Sequence, residues 1–188
     1  MKFTEAEEQL KFAEDFLERV SNSESHQEFK KWWQAFRNCL ATACYSIRNQ
    51  LKNADYQKNH RIYQAINKAE DQLELQYIIQ ARHSSFHRID PVSEVSPGSI
   101  SYYAPEPPTV EIQEDGSIVA PAHNLLNIKI VRPRIKLIPV SNRGMVYSVP
   151  EYESVSGVAT EHDPITLGTV AISQVRKAAE EIEKKMTV

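Results

Sequence analysis

The stretch FKKWWQAFRNCLATACYSIRNQL, residues 29–51, decides the fold class. Within it Phe29, Trp33, Phe36, Leu40, Cys44, Ile47 and Leu51 recur in steps of three or four. That spacing puts them on one face of an α-helix, and the run is long enough for about seven turns. Ser25 and Glu28 just upstream have the spacing of a capping box, which satisfies two free N–H groups at a helix start. Asn53-Ala54-Asp55 closes the helix in residues that favour turns. Trp32, Trp33 and Phe36 read as core or dimer contacts rather than base-stacking platforms, because a residue so placed on a helical face is more simply buried.

Working outward, the N-terminal side repeats the pattern. Leu10, Ala13, Phe16, Leu17 and Val20 form a stripe, Thr4 and Glu7 suggest a capping box before it, and Ser21-Asn22-Ser23 breaks it. On the C-terminal side a third stripe runs Ile62, Ile66, Ala69, Leu73, Tyr77, Ala81 and on to His87 and Ile89. Pro91 then pushes Asp90 out of the helical region and stops it. Beyond it the periodicity changes. Pro91, Pro97, Gly98, Pro105, Pro107 and Pro108 mark an irregular connection. Alternating segments follow at 109–113, 117–119, 126–131 and 134–140, and Asn142-Arg143-Gly144 turns into 145–149. Asp163-Pro164 then has the form of an N-cap followed by a first-turn proline, opening a last helix with Val170, Val175, Ala178 and Ile182 inward.

The expectation is a mainly α chain, α+β overall: an antiparallel bundle of about four helices, with a small antiparallel β-sheet inserted before the last helix. Residues 1–90 plus 163–188 form the bundle, and 91–162 form the Pro-rich connection and β-rich insertion.

Composition sets the outer limits. The chain has 188 residues, 41% hydrophobic and 25% charged, which suits a domain with a real core. A net charge of −3 argues against indiscriminate adhesion to nucleic acid or anionic lipid. The charge is uneven, however. From Gly116 to Pro150 there is no acidic residue, while Lys129, Arg132, Arg134, Lys136 and Arg143 all fall there. This stretch is a candidate RNA-binding face, set against the plainer role of cations in protecting sheet edges. Tyr102-Tyr103 in the connection is a weaker candidate for stacking on a base. Cys39 and Cys44 lie about 140° apart around one helix, a poor geometry for a disulfide, and read as small side chains in a reducing compartment. No apolar signal core or membrane-spanning run is present, so the expected location is cytoplasmic and no membrane partner is expected.

The candidate chemistry lies in Arg82-His83-Ser84-Ser85-Phe86-His87. His87 falls in the last turn of its helix, where the negative end of the helix dipole favours an imidazolium. An imidazole titrating near neutrality both accepts and donates a proton. Arg82, about one and a half turns earlier, can reach the same end and grip a phosphate through two donors.

This Arg-x4-His pattern, with the polar His83 directly after the Arg and Tyr77-Ile78-Ile79-Gln80-Ala81 before it, resembles the signature of the HEPN superfamily (higher-eukaryote and prokaryote nucleotide-binding domains). The resemblance covers residues 1–90 and 163–186 and leaves the β-rich insertion unaccounted for. It implies an endoribonuclease that needs no metal or other cofactor, acting as a toxin or defence effector. It also implies a homodimer whose two motifs line one cleft, and an antitoxin or regulatory protein as a further partner besides RNA. On it, His87 is the acid/base, Arg82 binds the phosphate and stabilises its developing charge, and His83 orients the substrate or His87. The RNA 2′-hydroxyl is the nucleophile, so DNA should be inert.

Two other readings stand beside it. Many members of that superfamily are inactive, so the chain can instead be a non-catalytic binding or assembly module that dimerises and recruits a partner or RNA. His83 and His87, four apart on one face, also have a metal-ligand spacing. But the residue after His83 is Ser84 rather than the Glu of a His-Glu-x-x-His site, and nothing in the sequence brings His60 or His123 near, so no metal is expected.

Overall fold

The computed structural model describes residues 2–54, 60–87, 91–96, 99–103, 111–112, 118–119, 126–131, 134–153, 159–160 and 163–186. For 60–61, 86–87, 99–103, 111–112, 118–119, 126–131, 134, 152–153 and 159–160 the description is of backbone alone. Five helices occur among these residues: α1 Thr4–Ser21, α2 His26–Asn53, α3 His60–Glu70, α4 Leu73–His87 and α5 Pro164–Met186. Between α4 and α5 lie short strands: β1 Ser93–Ser96, β2 Ser99–Tyr103, β3 Glu111–Ile112, β4 Ile118–Val119, β5 Leu126–Val131, β6 Arg134–Leu137, β7 Val140–Asn142, β8 Met145–Tyr147, β9 Tyr152–Glu153 and β10 Ala159–Thr160. The chain is mainly helical with a small antiparallel β component.

The residues of the opening stretch behave as their spacing predicts. Phe29, Trp33, Phe36, Leu40, Cys44, Ile47 and Leu51 are all buried. Phe29, Trp33 and Phe36 stack in sequence, with centroids 6.1 and 4.9 Å apart. Leu10, Leu40, Ile66, Ile78 and Leu167 carry one core through all five helices, and Leu137 of β6 joins it.

Ion pairs and close approaches fix how the helices run. Ser46, late in α2, donates to Glu5, early in α1, at 2.8 Å. At the other end Phe16 stacks on Trp32, so α1 and α2 are antiparallel. α5 is antiparallel to α1 as well. The Phe3 N–H donates to Glu183 Oε1 at 3.0 Å, Arg176 bridges Glu7 and Glu14, and Gly168 lies against Leu17.

The helix ends show which local signals hold. The Ser25 side chain accepts the Glu28 N–H at 3.1 Å, and Glu28 reaches back to the Glu24 N–H. Asp163 caps α5 through bonds from the Ile165 and Thr166 N–H groups at 3.1 and 3.0 Å. The Thr4 capping box does not form. α1 starts at Thr4 itself, and its N-cap is Phe3, which makes no side-chain cap bond and is buried. Burying that aromatic ring draws the chain into the helix one residue early.

Two expectations need correction. The third stripe is not one helix but two, so the helices number five rather than about four. At Asp71-Gln72 the chain tightens: the Gln72 N–H bonds to the Ala69 carbonyl at 3.1 Å, and the Gln72 side chain caps the Lys68 carbonyl. The break rotates the stripe. Leu73 is 68% exposed, and Leu75, Tyr77, Ile78 and Ala81 face inward. Nor, among the described residues, do the strands make one sheet. They form separate two-stranded ladders, β1–β6, β2–β5, β3–β4, β7–β8 and β9–β10. The β7–β8 hairpin does turn at Arg143-Gly144, whose φ values of 51° and 81° suit a two-residue turn of type I′.

The chain divides into two compact units, residues 1–94 with 136–188, and residues 95–135. The expected boundaries at 90 and 163 therefore shift. β7 packs on α4, Tyr77 Oη donates to the Ile138 carbonyl at 2.8 Å, and Asn142 Nδ2 donates to Gln80 Oε1 at 2.7 Å. These contacts place 136–149 with the helices. The second unit consists of the β2–β5 ladder, bulged between Ser101 and Tyr103, and the small β3–β4 ladder between those strands in sequence.

Candidate functional site: the end of helix α4

The last two turns of α4 are held by two consecutive residues of α2. Arg37 follows Trp33 by one turn and precedes Leu40 by three residues, so it falls on the buried stripe and is only 3% exposed. Its Nε donates to the Trp33 carbonyl at 3.4 Å. Its Nη1 crosses to α4 and donates to the Ala81 carbonyl oxygen at 2.5 Å and to Ser85 Oγ at 3.1 Å. Ser85 Oγ in turn donates to the Arg82 carbonyl at 3.1 Å. Next along α2, exposed Asn38 accepts from Arg82 Nε at 3.2 Å. Arg37 thus holds the backbone just before the motif and the Ser85 hydroxyl within it, and Asn38 holds the Arg82 side chain.

The electrostatics single this place out. Burial lowers the Arg37 pKa to about 10, the nearby Arg82 charge pushes it the same way, and buried Tyr77 opposes them. Among the described residues no carboxylate pairs with Arg37 or Arg82. Two other arginines of the helices differ. Arg48 makes a two-pronged pair with Glu70, and Arg176 pairs with Glu7 and Glu14. Near the end of α4 two guanidinium groups interact through their charges, with no carboxylate paired to either among the described residues, an arrangement suited to an anion. Arg82 is half-buried, and its Nη atoms make no hydrogen bond among the described residues. They are the donors available to a ligand.

The other expected residues fare differently. His83 is half-buried in the same turn. His87 is the last residue of α4, and its side chain lies outside those described, as does the whole of Arg132. Lys129 in β5 and Arg134 at the start of β6 are described by backbone alone. Lys136 is paired with Glu94 at 2.9 Å, which fits edge protection better than an open RNA contact. Arg143 occupies the β7–β8 turn, whose Asn142 is tied to α4. Of the five basic residues, side chains are described for Lys136 and Arg143 alone. Tyr102 and Tyr103 fall in β2 rather than in a loop. Among the described residues no three His, Cys, Asp or Glu side chains cluster as metal ligands, and no helix is long and apolar enough to cross a membrane.

No family model, no curated protein and no solved structure matches this chain.

Arg37 and Asn38 are functional candidates that the motif alone does not reveal. Arg37 had a signal: it continues the inward spacing 33–37–40–44, so a cation stands in an apolar stripe. Asn38 had none.

Proposed function

We propose that the chain is a metal-independent endoribonuclease of HEPN type, with the end of α4 as its phosphate-binding and acid/base site. The observation that carries this reading is the pair Arg37 and Arg82, held at one helix end with no described carboxylate between them. Arg82 grips the scissile phosphate. His87 takes the proton of the RNA 2′-hydroxyl as its oxygen bonds to phosphorus. The bond from phosphorus to the 5′-oxygen breaks, and a proton passes to that leaving oxygen, leaving a cyclic phosphate. His83 orients the substrate or His87. Because the nucleophile belongs to the substrate, a grip and a proton carrier suffice for the chemistry. The reading includes a homodimer, with the motif helices near the two-fold axis, working in the cytoplasm, and an antitoxin or regulatory protein as its control.

Labelled tRNA and mRNA, incubated in chelator with wild type and His87→Ala, test it. Wild type should cleave and the variant should not, with equal thermal stability. Cleavage that survives His87→Ala, or that disappears in chelator, overturns the assignment.

A second reading has its own observation. Leu73 and Val146 are 68% and 70% exposed and line one groove, and Met145 beside them is 58% exposed. Exposed apolar residues so grouped favour an assembly module that recruits a protein. An RNA assay in which wild type is inert, while light scattering shows an oligomer lost on Val146→Asp, would favour it.

A further inference from the structure

A helix C-terminus is a poor place for a phosphate. The unsatisfied carbonyls there carry roughly half a negative charge. An exposed arginine alone offsets this weakly, because water and salt screen it. Arg37 is different: at 3% exposure it lies behind the last two turns of α4, in contact with the carbonyl of Ala81 and, through Ser85, with that of Arg82.

We propose that Arg37 is the charge-setting and positioning residue of this site: it sets a buried positive charge against the last two turns of α4 and fixes the turn bearing Arg82, so that this part of the helix accepts a phosphate. The inference deepens the reading of the α4 end as a phosphate site and rests on it.

Two observations separate this role from a merely structural one. Filling the stripe position between Trp33 and Leu40 needs only an apolar side chain, which would avoid the desolvation of a buried charge. Tying α2 to α4 needs only a neutral donor, and Asn142 to Gln80 shows the molecule using one for β7 and α4. What a guanidinium adds to either is a full positive charge in a low-dielectric setting, where its field reaches the helix end unscreened. Its cost is visible in the fall of the Arg37 pKa to about 10, which still leaves the group charged at neutral pH. The neighbouring Arg82 is part of that cost. An anion bound between the two would relieve the repulsion.

The test is binding of inorganic phosphate to the full chain, followed by NMR at the Arg82 Nε–H. Wild type, Arg37→Gln and Arg37→Lys are compared, with amide exchange of residues 78–85 recorded for each. Wild type should saturate. Arg37→Gln should bind at least about tenfold more weakly, and Arg37→Lys, which restores charge without the full set of bonds, should recover to within about threefold of wild type. Equal binding by Arg37→Gln and wild type overturns the role of Arg37 alone. So does a folded Arg37→Lys, with native exchange in α4, that binds at least tenfold more weakly than wild type, even if Arg37→Gln does not fold. Failure of wild type to bind phosphate overturns the α4 anion site itself, and the proposed function with it.

Discussion

Arg37 Nη1 donates to the carbonyl oxygen of Ala81 at 2.5 Å, across 44 positions of sequence. That carbonyl belongs to the turn that presents Arg82, so the packing of α2 against α4 and the geometry of the candidate site are one arrangement.

Arg82→Lys should abolish cleavage while leaving thermal unfolding close to that of wild type. An ammonium cannot bond Asn38 and still present a planar pair of donors to a phosphate. A partly exposed helix end also contributes little to stability. Single-turnover cleavage beside a thermal melt checks both halves.

The two cysteines should separate by reactivity. Burial pushes the Cys44 thiol up to about 12, with Glu70 adding to the effect, whereas Cys39 is raised by partial burial alone. Iodoacetamide at pH 8 should therefore label Cys39 in the native protein and Cys44 only on unfolding, read by mass spectrometry. The linkage has a definite sign. The unfolded Cys44 thiol loses its proton near its ordinary value of 9.0, and the folded one holds it to about 12. Its contribution to stability is whole below pH 9 and falls as the pH rises through that window. Cys44→Ala should flatten the alkaline decline in the denaturation midpoint relative to wild type.

Gly168→Val should destabilise the chain by about 1–3 kcal/mol. A Cβ at Gly168 would stand 2.6 Å from Leu17 Cδ1 and 3.0 Å from Phe36 Cζ, inside the junction of α1, α2 and α5. Urea denaturation at constant slope measures the loss.

Asp163→Ala should cost about 1 kcal/mol, through loss of the bonds from the Ile165 and Thr166 N–H groups. For a chain of this size that corresponds to a fall in Tm of about 2–4 °C. Asp163→Asn should keep most of the stability, since its carboxamide oxygen still accepts.

What the sequence makes legible follows from where each signal is stored. The stripe of α2 and the caps at Ser25 and Asp163 are local, and they read correctly. The break at Asp71-Gln72 was hidden because Leu73 continues the spacing of Ile62, Ile66 and Ala69 by coincidence, although it faces solvent. Thr4 misled for a tertiary reason: Phe3 is wanted in the core. At the site, the position of Arg82 near the end of its helix was legible. The clamp formed by Arg37 and Asn38 was not, because it joins residues 44 positions apart.

The crossing point between the two units has its own consequence. The chain leaves the helical unit at Glu94 and re-enters it at Lys136, and those two residues are joined by an ion pair of 2.9 Å, with the Ile138 N–H on the Val92 carbonyl beside it. The gap in the helical unit is therefore already spanned from within. The intervening segment is a cassette with a fixed pair of attachment points, and a short Gly-rich bridge in its place lowers the entropy of closing the loop. The contacts that fix α4 among the helices therefore do not depend on that cassette.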